Sequence, residues 1–269
     1  MSNPDTSAIK AEMDRQGFVG PLPVVPAEQA LRYRQALEAY EAEHGSTGQF
    51  HMKIHLYLAF AWELTRSPAV IDYAQQLCGP DVLVLASRFW IKEAGDNRFV
   101  SWHQDTTYFG LEPDIYFNMW IALSEASVEA GCMRFYPGSH KQGLVEHEMA
   151  LSPDNLLTRG QTIRHVDDNK GVALGLKPGE CSIHHGHVMH WSPPNASADR
   201  RIGFGLSLIP ARVRSTIGRR SATLLCGEDR YGHWDLDPYP QSDRDPVILE
   251  LMHAETGRYV PAEKLEHDR

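Results

Sequence analysis

The sequence predicts a single domain in which N-terminal helices pack against a β-sandwich or β-barrel. The first third of the chain contains helix-forming stretches with clear ends, and short stretches rich in β-branched and aromatic residues follow it, separated by Gly, Pro, Asp and Asn. Strands this closely spaced, without helices between them, are typical of sandwiches and barrels. We expect helices over about residues 1–80, a β core over about 81–215 and a C-terminal extension over about 216–269.

Two stretches in the first third have the start and stop signals of helices. PAEQALRYRQALEAYEAEHG, residues 26–45, begins with proline, continues with strong helix formers and ends in glycine. SPAVIDYAQQLCGP, residues 67–80, places Ser67 at the N-cap and Pro68 in the first turn. Proline fits the first turn because the N–H it lacks has no partner within the helix there. We therefore expect a helix in each stretch.

Six stretches after residue 80 are predicted to be strands, because they alternate or run apolar between turn residues. They are DVLVLASRFWIK, FVSWHQD, IYFNMWIAL, CMRFYPGS, GECSIHH and RIGFGLSLI. Near the C terminus, ATLLCGEDRYGHWDLDPYP is expected to be an extended segment or loop. No repeat and no Gly-, Ser- or Pro-rich linker divides the chain, so one domain over residues 1–269 is predicted.

Composition narrows the possible partners. The 269 residues include 26 basic and 35 acidic side chains, for a formal net charge of -9, with no long run of like charges. This balance argues against a nucleic-acid or polybasic membrane surface, so a small-molecule substrate is the expected partner.

The four cysteines form no C-x-x-C pair, which disfavours a zinc knuckle and a disulfide scaffold. The absence of a signal-peptide pattern and of a membrane-length apolar segment predicts a cytoplasmic protein. Nothing in the sequence predicts an oligomeric state.

A candidate metal site begins in VSWHQDTTYFG, residues 100–110. His103 and Asp105 are two residues apart, so in an extended strand their side chains point to the same face. A face of two histidines and one carboxylate leaves positions open for a cosubstrate and O2, which suits non-haem Fe(II), whereas a structural zinc site would have four protein ligands. The stretch HHGHVMHWSPPN offers four histidines that compete to be the third ligand: His184, His185, His187 and His190.

A candidate anion site lies in the stretch RRIGFGLSL. Alternation along a strand separates its side chains into two faces. One face carries small residues and a single arginine: Arg201, Gly203, Gly205 and Ser207. The other face is apolar and is expected to pack in the core: Ile202, Phe204, Leu206 and Leu208. Arginine binds a carboxylate through two parallel hydrogen bonds, so Arg201 could hold the distal carboxylate of a 2-oxoacid. The alternative, in which Arg201 is a surface charge beside Arg200, stays open at this point.

The chain resembles the phytanoyl-CoA dioxygenase family of Fe(II)/2-oxoglutarate oxygenases, which includes the ectoine hydroxylases. WHQD at residues 102–105 is similar to the family's proximal H-x-D, and GCMRFYPGSH at residues 131–140 is similar to its G-x-x-R-x-x-PGSH hairpin. MHWSPPNASADRR at residues 189–201 is similar to its distal histidine with a serine two residues on and an arginine eleven residues on. The resemblance covers about residues 15–215, and Trp191 departs from it, since the family usually has glycine there.

This resemblance implies a mostly β fold with flanking helices, a double-stranded β-helix or jelly-roll barrel of the cupin-like kind with a metal at its mouth. It implies that His103, Asp105 and His190 hold Fe(II) and form the catalytic centre, with 2-oxoglutarate and O2 as cosubstrates and succinate and CO2 as products. A retained Asp105 implies hydroxylation, desaturation or ring closure rather than halogenation.

For the cosubstrate, the resemblance implies that Arg201 and Ser192 meet the distal carboxylate of 2-oxoglutarate. It further implies that Gln104, which directly follows the first metal ligand, and Trp120 belong to the cosubstrate site. Of the remaining histidines, His184 is expected to approach the site most closely.

The substrate side is less defined. Four residues are candidate substrate contacts: Arg98, Tyr108, Phe109 and Trp234. An acyl-CoA would favour a cluster of cations for its phosphates, and no such cluster lies near the metal motifs, so a free small metabolite or natural-product intermediate is expected. The alternatives are an acyl-CoA hydroxylase of the same family, a metal-dependent hydrolase, which the lack of an H-E-x-x-H helix disfavours, and a non-catalytic ligand-binding barrel.

Overall fold

The computed structural model describes residues 6–259, so residues 1–5 and 260–269 of the predicted domain lie outside the described part. The helices are α1 (Thr6–Gln16), α2 (Ala27–His44), α3 (Ile54–Tyr57), α4 (Ala59–Thr65), α5 (Pro68–Cys78) and α6 (Pro246–Tyr259). The strands before residue 150 are β1 (Phe18–Pro23), β2 (Val82–Lys92), β3 (Val100–His103), β4 (Leu111–Glu112), β5 (Phe117–Ala122), β6 (Arg134–Phe135) and β7 (Glu148–Met149). The later strands are β8 (Gln161–Thr162), β9 (Val172–Ala173), β10 (Glu180–His185), β11 (His190–Ser192), β12 (Arg201–Pro210), β13 (Arg214–Ser215), β14 (Ser221–Cys226) and β15 (Asp235–Leu236).

Two sheets form the walls of the barrel. The larger sheet has seven strands in the order β1-β10-β5-β12-β2-β14-β15, and the smaller has four in the order β3-β11-β6-β9. Side chains from both sheets line one interior cavity, so the sheets face each other. The predicted fold class, a jelly-roll barrel with flanking helices, is confirmed.

The helices pack against the outer face of the larger sheet. The apolar face predicted for the RIGFGLSLI strand is confirmed, because Ile202, Phe204, Leu206 and Leu208 are buried in one core with side chains of α2, α4 and α5. Both predicted helices form, as α2 and α5. Ser67 occupies the N-cap position of α5, but its side chain makes no capping hydrogen bond.

The larger sheet extends beyond the predicted β core at both ends. Strand β1 lies in the predicted helical third, and β14 lies in the predicted C-terminal extension. The sequence of β1, FVGPLP, contains two prolines, which disfavour a central strand because proline cannot donate to the ladder. It is tolerated here because β1 is at the edge of the sheet. Its pairing with β10 is interrupted between Val19 and Leu22.

The inner face of β12 leaves room for large side chains from its neighbours. A Cβ at Gly203 would lie 1.7 Å from the Trp120 ring, so the indole occupies the space that any other residue would fill. A Cβ at Gly205 would lie 2.8 Å from Nε1 of Trp90. The predicted small-residue face therefore forms the floor of the interior cavities.

Two further observations concern the chain as a whole. Over residues 6–259, none of the helices combines the length and the apolar character that crossing a bilayer requires. The four cysteines are free thiols, and Cys78, Cys132 and Cys181 are buried.

Candidate active site

Three of the predicted metal ligands converge at one end of the barrel. His103 on β3 and His190 on β11 are directly opposite each other in the antiparallel ladder. Oδ1 of Asp105 lies 3.3 Å from Nε2 of His103 and 3.7 Å from Nε2 of His190. Within the described residues, these three form the group of side chains whose ligand atoms could hold a metal, all within 4.8 Å of one another.

The strand that carries the first ligand is shorter than expected. It ends at His103, and Asp105 begins a 3-10 helix over Asp105–Tyr108 rather than continuing the strand. The backbone N–H of Asp105 donates to the carbonyl of Gly186 at 2.9 Å, which holds the turn against the end of β10. The carboxylate therefore reaches the imidazole from a turn, not from the same strand face.

Backbone contacts orient both histidines. Nδ1 of His103 lies 2.9 Å from the carbonyl oxygen of Ser101, and Nδ1 of His190 lies 3.1 Å from that of Val188. A carbonyl oxygen only accepts, so each Nδ1 carries the proton and each Nε2 lone pair faces the site. Burial lowers the pKa of His190 well below its ordinary value, so its Nε2 stays unprotonated. Metal-ligating histidines are commonly fixed in this way.

Asp105 is held by two side chains from the larger sheet. Its Oδ2 accepts hydrogen bonds from Nδ2 of Asn118 at 3.2 Å and from Nε2 of His184 at 3.0 Å, which leaves Oδ1 for the metal side. Burial acts to raise the pKa of Asp105, but its contacts with the surrounding histidines, among them the hydrogen bond from His184, outweigh it and hold that pKa well below its ordinary value. His184 does approach the site, as expected, and it does so as a donor to the carboxylate.

The donor set fits a cation with open coordination positions. Two imidazole lone pairs and one carboxylate oxygen face one point, with His103 and His190 both buried. Nitrogen and oxygen ligands in a two-histidine, one-carboxylate arrangement are those of non-haem Fe(II) sites. His187 instead meets Asp114 at 2.7 Å, and His185 packs beside His140.

Arg201 is a buried cation at the end of the same cavity. It is 1% exposed, and its Nη1 donates to the carbonyl of Gly131 at 2.8 Å. Its Nε is buried and has no hydrogen-bond partner among the described residues. Burial lowers its pKa to about 10, so the guanidinium stays charged at neutral pH. An unpartnered donor on a buried cation fits a carboxylate ligand. The alternative reading as a surface charge is wrong, because its neighbour Arg200 makes the surface ion pairs, with Glu41 and Glu93.

A second buried basic residue, Lys92, belongs to the same end of the site, although the sequence did not indicate it. It is the cross-strand partner of Arg201, and its Nζ lies 2.7 Å from Oγ of Ser192. Ser192 and Arg201 both line the interior cavity that contains His103, Asp105 and His190, called the metal cavity below, as the resemblance implied. The available signal was alternation along β2, which places Lys92 on the same face as Trp90.

The other two predicted cosubstrate residues differ in placement. Trp120 lines the metal cavity, and the Arg201 guanidinium lies 5.2 Å from its ring centroid. Gln104 does not line that cavity. Its side chain is fully buried, donates to the carbonyls of Gly143 and His187, and accepts from the N–H of Val145. These backbone groups use its hydrogen-bonding capacity, so Gln104 holds residues 143–145 in place.

A second cavity adjoins the first and shares Trp90, Asp105 and Asn118 with it. Its walls come from β2, β5, β12 and the segment that contains Leu157. Arg88 lines this cavity, with its guanidinium 4.2 Å from the centroid of the Trp90 ring. Asp105 thus lines both cavities, and the second cavity also contains a cation.

Of the four predicted substrate contacts, Phe109 lines this second cavity. The prediction for Trp234 is wrong, because its side chain is 2% exposed in a hydrophobic core and Nε1 donates to the carbonyl of Val213. Arg98 lies in an outer cleft that shares Arg88 and Trp90 with the second cavity, and it is paired with Asp96. The side chain of Tyr108 lies outside the described part of the structure. Arg88 and Asn118 were not predicted from the sequence, because their positions in the cavity wall depend on the register between strands.

Comparison with known proteins agrees with the geometry of the site. A model of the family Phytanoyl-CoA dioxygenase (PhyH) matches residues 13–203. A probable alpha-ketoglutarate-dependent hypophosphite dioxygenase of Stutzerimonas stutzeri is 27% identical over 235 residues, which are 82% of this chain and 82% of that protein. Phytanoyl-CoA dioxygenase domain-containing protein 1 of Danio rerio is 30% identical over 148 residues, which are 54% of this chain and 50% of that protein.

Solved structures share the fold along nearly the whole chain. The apo form of ThoJ, described as a non-heme monooxygenase, matches with a TM-score of 0.81 and 29% identity, covering 97% of this chain and 98% of that one. CytC3 with Fe(II) and alpha-ketoglutarate matches with a TM-score of 0.66 and 22% identity, covering 91% and 97%, which shows the shared fold.

Proposed function

Because the chain belongs to the phytanoyl-CoA dioxygenase family, we propose that it hydroxylates a free small acid, with conversion of 2-oxoglutarate to succinate and CO2. It is an Fe(II)/2-oxoglutarate-dependent dioxygenase, with Fe(II) as its metal and 2-oxoglutarate and O2 as cosubstrates. The observation that carries the substrate assignment is the cation Arg88 in the cavity that opens onto Asp105.

Each residue of the site has a distinct task in this proposal. His103, Asp105 and His190 would hold the iron, which supplies the oxidising chemistry when the cosubstrates are bound. Arg201 and Ser192 would bind the distal carboxylate of 2-oxoglutarate. The barrel walls orient the substrate C–H bond and exclude water.

His184 and Asn118 would keep Asp105 in a fixed orientation. A carboxylate accepts from both, so its Oδ1 remains directed to the metal side. Asn118 is also fixed by this contact, because its Nδ2 has to face the carboxylate. Its Oδ1 is buried, has no hydrogen-bond partner within residues 6–259 and belongs to a side chain that lines both cavities.

These features define the substrate class. Arg88 favours a carboxylate or another oxoanion, and Oδ1 of Asn118 favours an N–H or O–H donor close to the metal. We therefore favour small amino or hydroxy acids and similar anionic intermediates. The name of the Stutzerimonas stutzeri relative designates a small anion as its substrate, which agrees with a cation in the cavity.

The free acid is favoured over its acyl-CoA ester by the charges around the outer cleft. Arg98 is paired there with Asp96, and Arg200 is paired with Glu41 and Glu93. The phosphates of CoA would have to displace these carboxylates to gain the cations. The cytoplasm, where small acids of metabolism occur, is the location that we propose.

The proposed function is tested by substrate-stimulated succinate formation. We expect turnover with free amino acids, hydroxy acids or phosphonates, and a product heavier by one oxygen. Arg88→Met should raise the KM for the acid about 30-fold or more, since a charged hydrogen-bonded pair contributes about 2 kcal/mol or more. The matched control is Arg98→Met, which removes an arginine from the neighbouring cleft and should leave KM unchanged. Turnover of acyl-CoA esters without turnover of the free acids would overturn the substrate assignment.

A further inference from the structure

Two basic side chains lie side by side in the barrel interior. Lys92 and Arg201 are register partners on β2 and β12, and they are 0% and 1% exposed. Within residues 6–259 neither of them forms an ion pair with a carboxylate. Burying the Arg201 guanidinium without an anionic partner costs several kcal/mol, so this end of the cavity is built to receive an anion.

Three oxygen atoms surround the Lys92 amine. Its Nζ lies 2.7 Å from Oγ of Ser192, 3.2 Å from the carbonyl oxygen of Ser192 and 2.5 Å from the carbonyl oxygen of Pro193. The two carbonyl oxygens can only accept hydrogen bonds, whereas the hydroxyl of Ser192 can donate or accept. The direction of the Lys92 to Ser192 bond therefore depends on how many hydrogens the amine carries.

With three hydrogens, the ammonium donates to all three oxygens. Ser192 then accepts from Lys92, and its own hydrogen is free to turn into the cavity. With two hydrogens, the neutral amine uses both on the carbonyls of Ser192 and Pro193, and its lone pair accepts the hydrogen of the Ser192 hydroxyl. In that state Ser192 has no hydrogen left for a ligand.

We propose that Lys92 is a positioning residue of the cosubstrate site, whose protonation turns the Ser192 hydroxyl toward the distal carboxylate of 2-oxoglutarate, so that cosubstrate binding takes up a proton. This inference rests on the proposed roles of Ser192 and Arg201. It assigns Lys92 no contact with the reacting atoms. Its effect reaches the cosubstrate through Ser192 and through its positive charge.

The surroundings of Lys92 support a proton uptake. Burial, followed by the charge of Arg201, lowers the pKa of Lys92 to about 6. Arg98 acts in the same direction, whereas Asp96 and Cys132 act against it. A carboxylate bound at Arg201 would offset that positive charge and favour the ammonium form.

The sign of the pH dependence follows from this difference. Above about pH 6, Lys92 of the free protein is mainly neutral, whereas Lys92 of the complex is protonated. Affinity for 2-oxoglutarate should therefore fall as pH rises, by at most about tenfold per pH unit, until the pKa in the complex is passed. The carboxyl groups of 2-oxoglutarate are ionised over this whole range, since carboxyl groups titrate near about pH 4.

The test is calorimetry of 2-oxoglutarate binding to the Fe(II)-loaded protein without O2, in buffers of different ionisation heat at pH 7.5. We expect the wild type to take up close to one proton per cosubstrate. Lys92→Met keeps the length of the side chain but cannot titrate, so it should take up about one proton less. Its affinity should be about tenfold weaker than that of the wild type at pH 6 and should vary little with pH.

Two controls separate this role from a structural one. The double variant Lys53→Met/Asp237→Asn removes another fully buried lysine, whose Nζ is 2.6 Å from Asp237, and should keep the proton uptake. The loss caused by Lys92→Met should be smaller when Ser192 is already alanine, because the two residues act together.

The outcomes are distinct. A wild type that binds 2-oxoglutarate without proton uptake overturns the inference, and this measurement needs no variant. An unchanged pH dependence in folded Lys92→Met overturns it as well. A wild type that binds iron but not 2-oxoglutarate would instead overturn the proposed function.

Discussion

The imidazole rings of His103 and His190 face each other across an antiparallel strand pair, with centroids 4.1 Å apart. Their spacing is set by the backbone ladder between β3 and β11, and their tautomers are set by the carbonyls of Ser101 and Val188. Two of the three proposed metal ligands are thus positioned by main-chain hydrogen bonds. The third, Asp105, depends on side chains from the opposite sheet.

The first prediction concerns the metal ligands. His103→Ala, Asp105→Ala and His190→Ala should each abolish stoichiometric iron binding and 2-oxoglutarate turnover, because each removes one of three converging ligand atoms. Metal analysis of the purified variants and succinate formation measure this. His187→Ala is the control, since His187 is paired with Asp114, and it should bind iron normally. Equal damage from His187→Ala in a folded protein would refute the assignment of His190 as a ligand.

The second prediction compares two neighbouring arginines. Arg201→Ala should raise the 2-oxoglutarate requirement about 30-fold or more at unchanged iron content, because losing one partner of a desolvated charge pair costs about 2 to 5 kcal/mol. Arg200→Ala, which removes a surface network with Glu41 and Glu93, should leave that requirement unchanged. Titration of 2-oxoglutarate at fixed iron measures both. Similar effects from the two variants would contradict a specific role for Arg201.

The third prediction concerns the floor of the substrate cavity. Gly205→Ala adds a Cβ that would lie 2.8 Å from Nε1 of Trp90 and 3.7 Å from Oδ1 of Asn118. We expect kcat/KM for the substrate to fall about tenfold or more, since a displacement of about 1 Å can cost two orders of magnitude. Binding of 2-oxoglutarate should be unchanged. Equal losses for substrate and cosubstrate would show that the residue shapes both cavities.

The fourth prediction concerns acid stability through His55. This residue lies between Oγ of Ser87 at 2.6 Å and Oγ1 of Thr223 at 2.9 Å, and burial, followed by Lys53, lowers its pKa well below the ordinary value. The unfolded chain binds a proton at His55 below about pH 6.5, whereas the folded protein does not. Stability contributed by neutral His55 is therefore present above pH 6.5 and is lost as pH falls, by up to about 1.4 kcal/mol per pH unit.

His55→Gln removes this titration. The free energy of unfolding, measured by denaturant titration between pH 5 and pH 7, should depend less steeply on pH in the variant, by close to one proton. The variant should be less stable than the wild type at pH 7, because glutamine does not reproduce both hydrogen bonds of the ring. An identical slope in both proteins would show that His55 is protonated in the folded state.

The parts of the site that were predictable from the sequence are those formed by residues close together in the chain. The spacing of His103 and Asp105, the face that ends in Arg201 and the family motifs are all local patterns, and the structure brings those residues together. Asn118 and His184 were not assigned a contact, because they meet Asp105 through the register of β5 with β10, which pairs strands distant in sequence. The role of Lys92 was not predictable for the same reason, because it depends on the pairing of Lys92 with Arg201, which is distant in sequence.

The errors have local causes as well. Strand β1 was not predicted because its two prolines disfavour a strand, and they are tolerated because β1 lies at the edge of the sheet. Trp234 is predicted to contact the substrate, yet it is buried with Leu83, Leu85 and Ile209. Large aromatic side chains in otherwise polar segments serve to anchor those segments as readily as they bind ligands.

The contact between Gly203 and Trp120 determines the order in which substitutions at these two positions can be accepted during evolution. With the indole in place, a Cβ at position 203 would lie 1.7 Å from the ring, so no side chain can be gained there first. A lineage has to exchange Trp120 for a smaller residue before position 203 can accept anything but glycine. The two positions are therefore expected to vary as a pair among descendants of this protein, and variants that change them in the reverse order are expected to misfold.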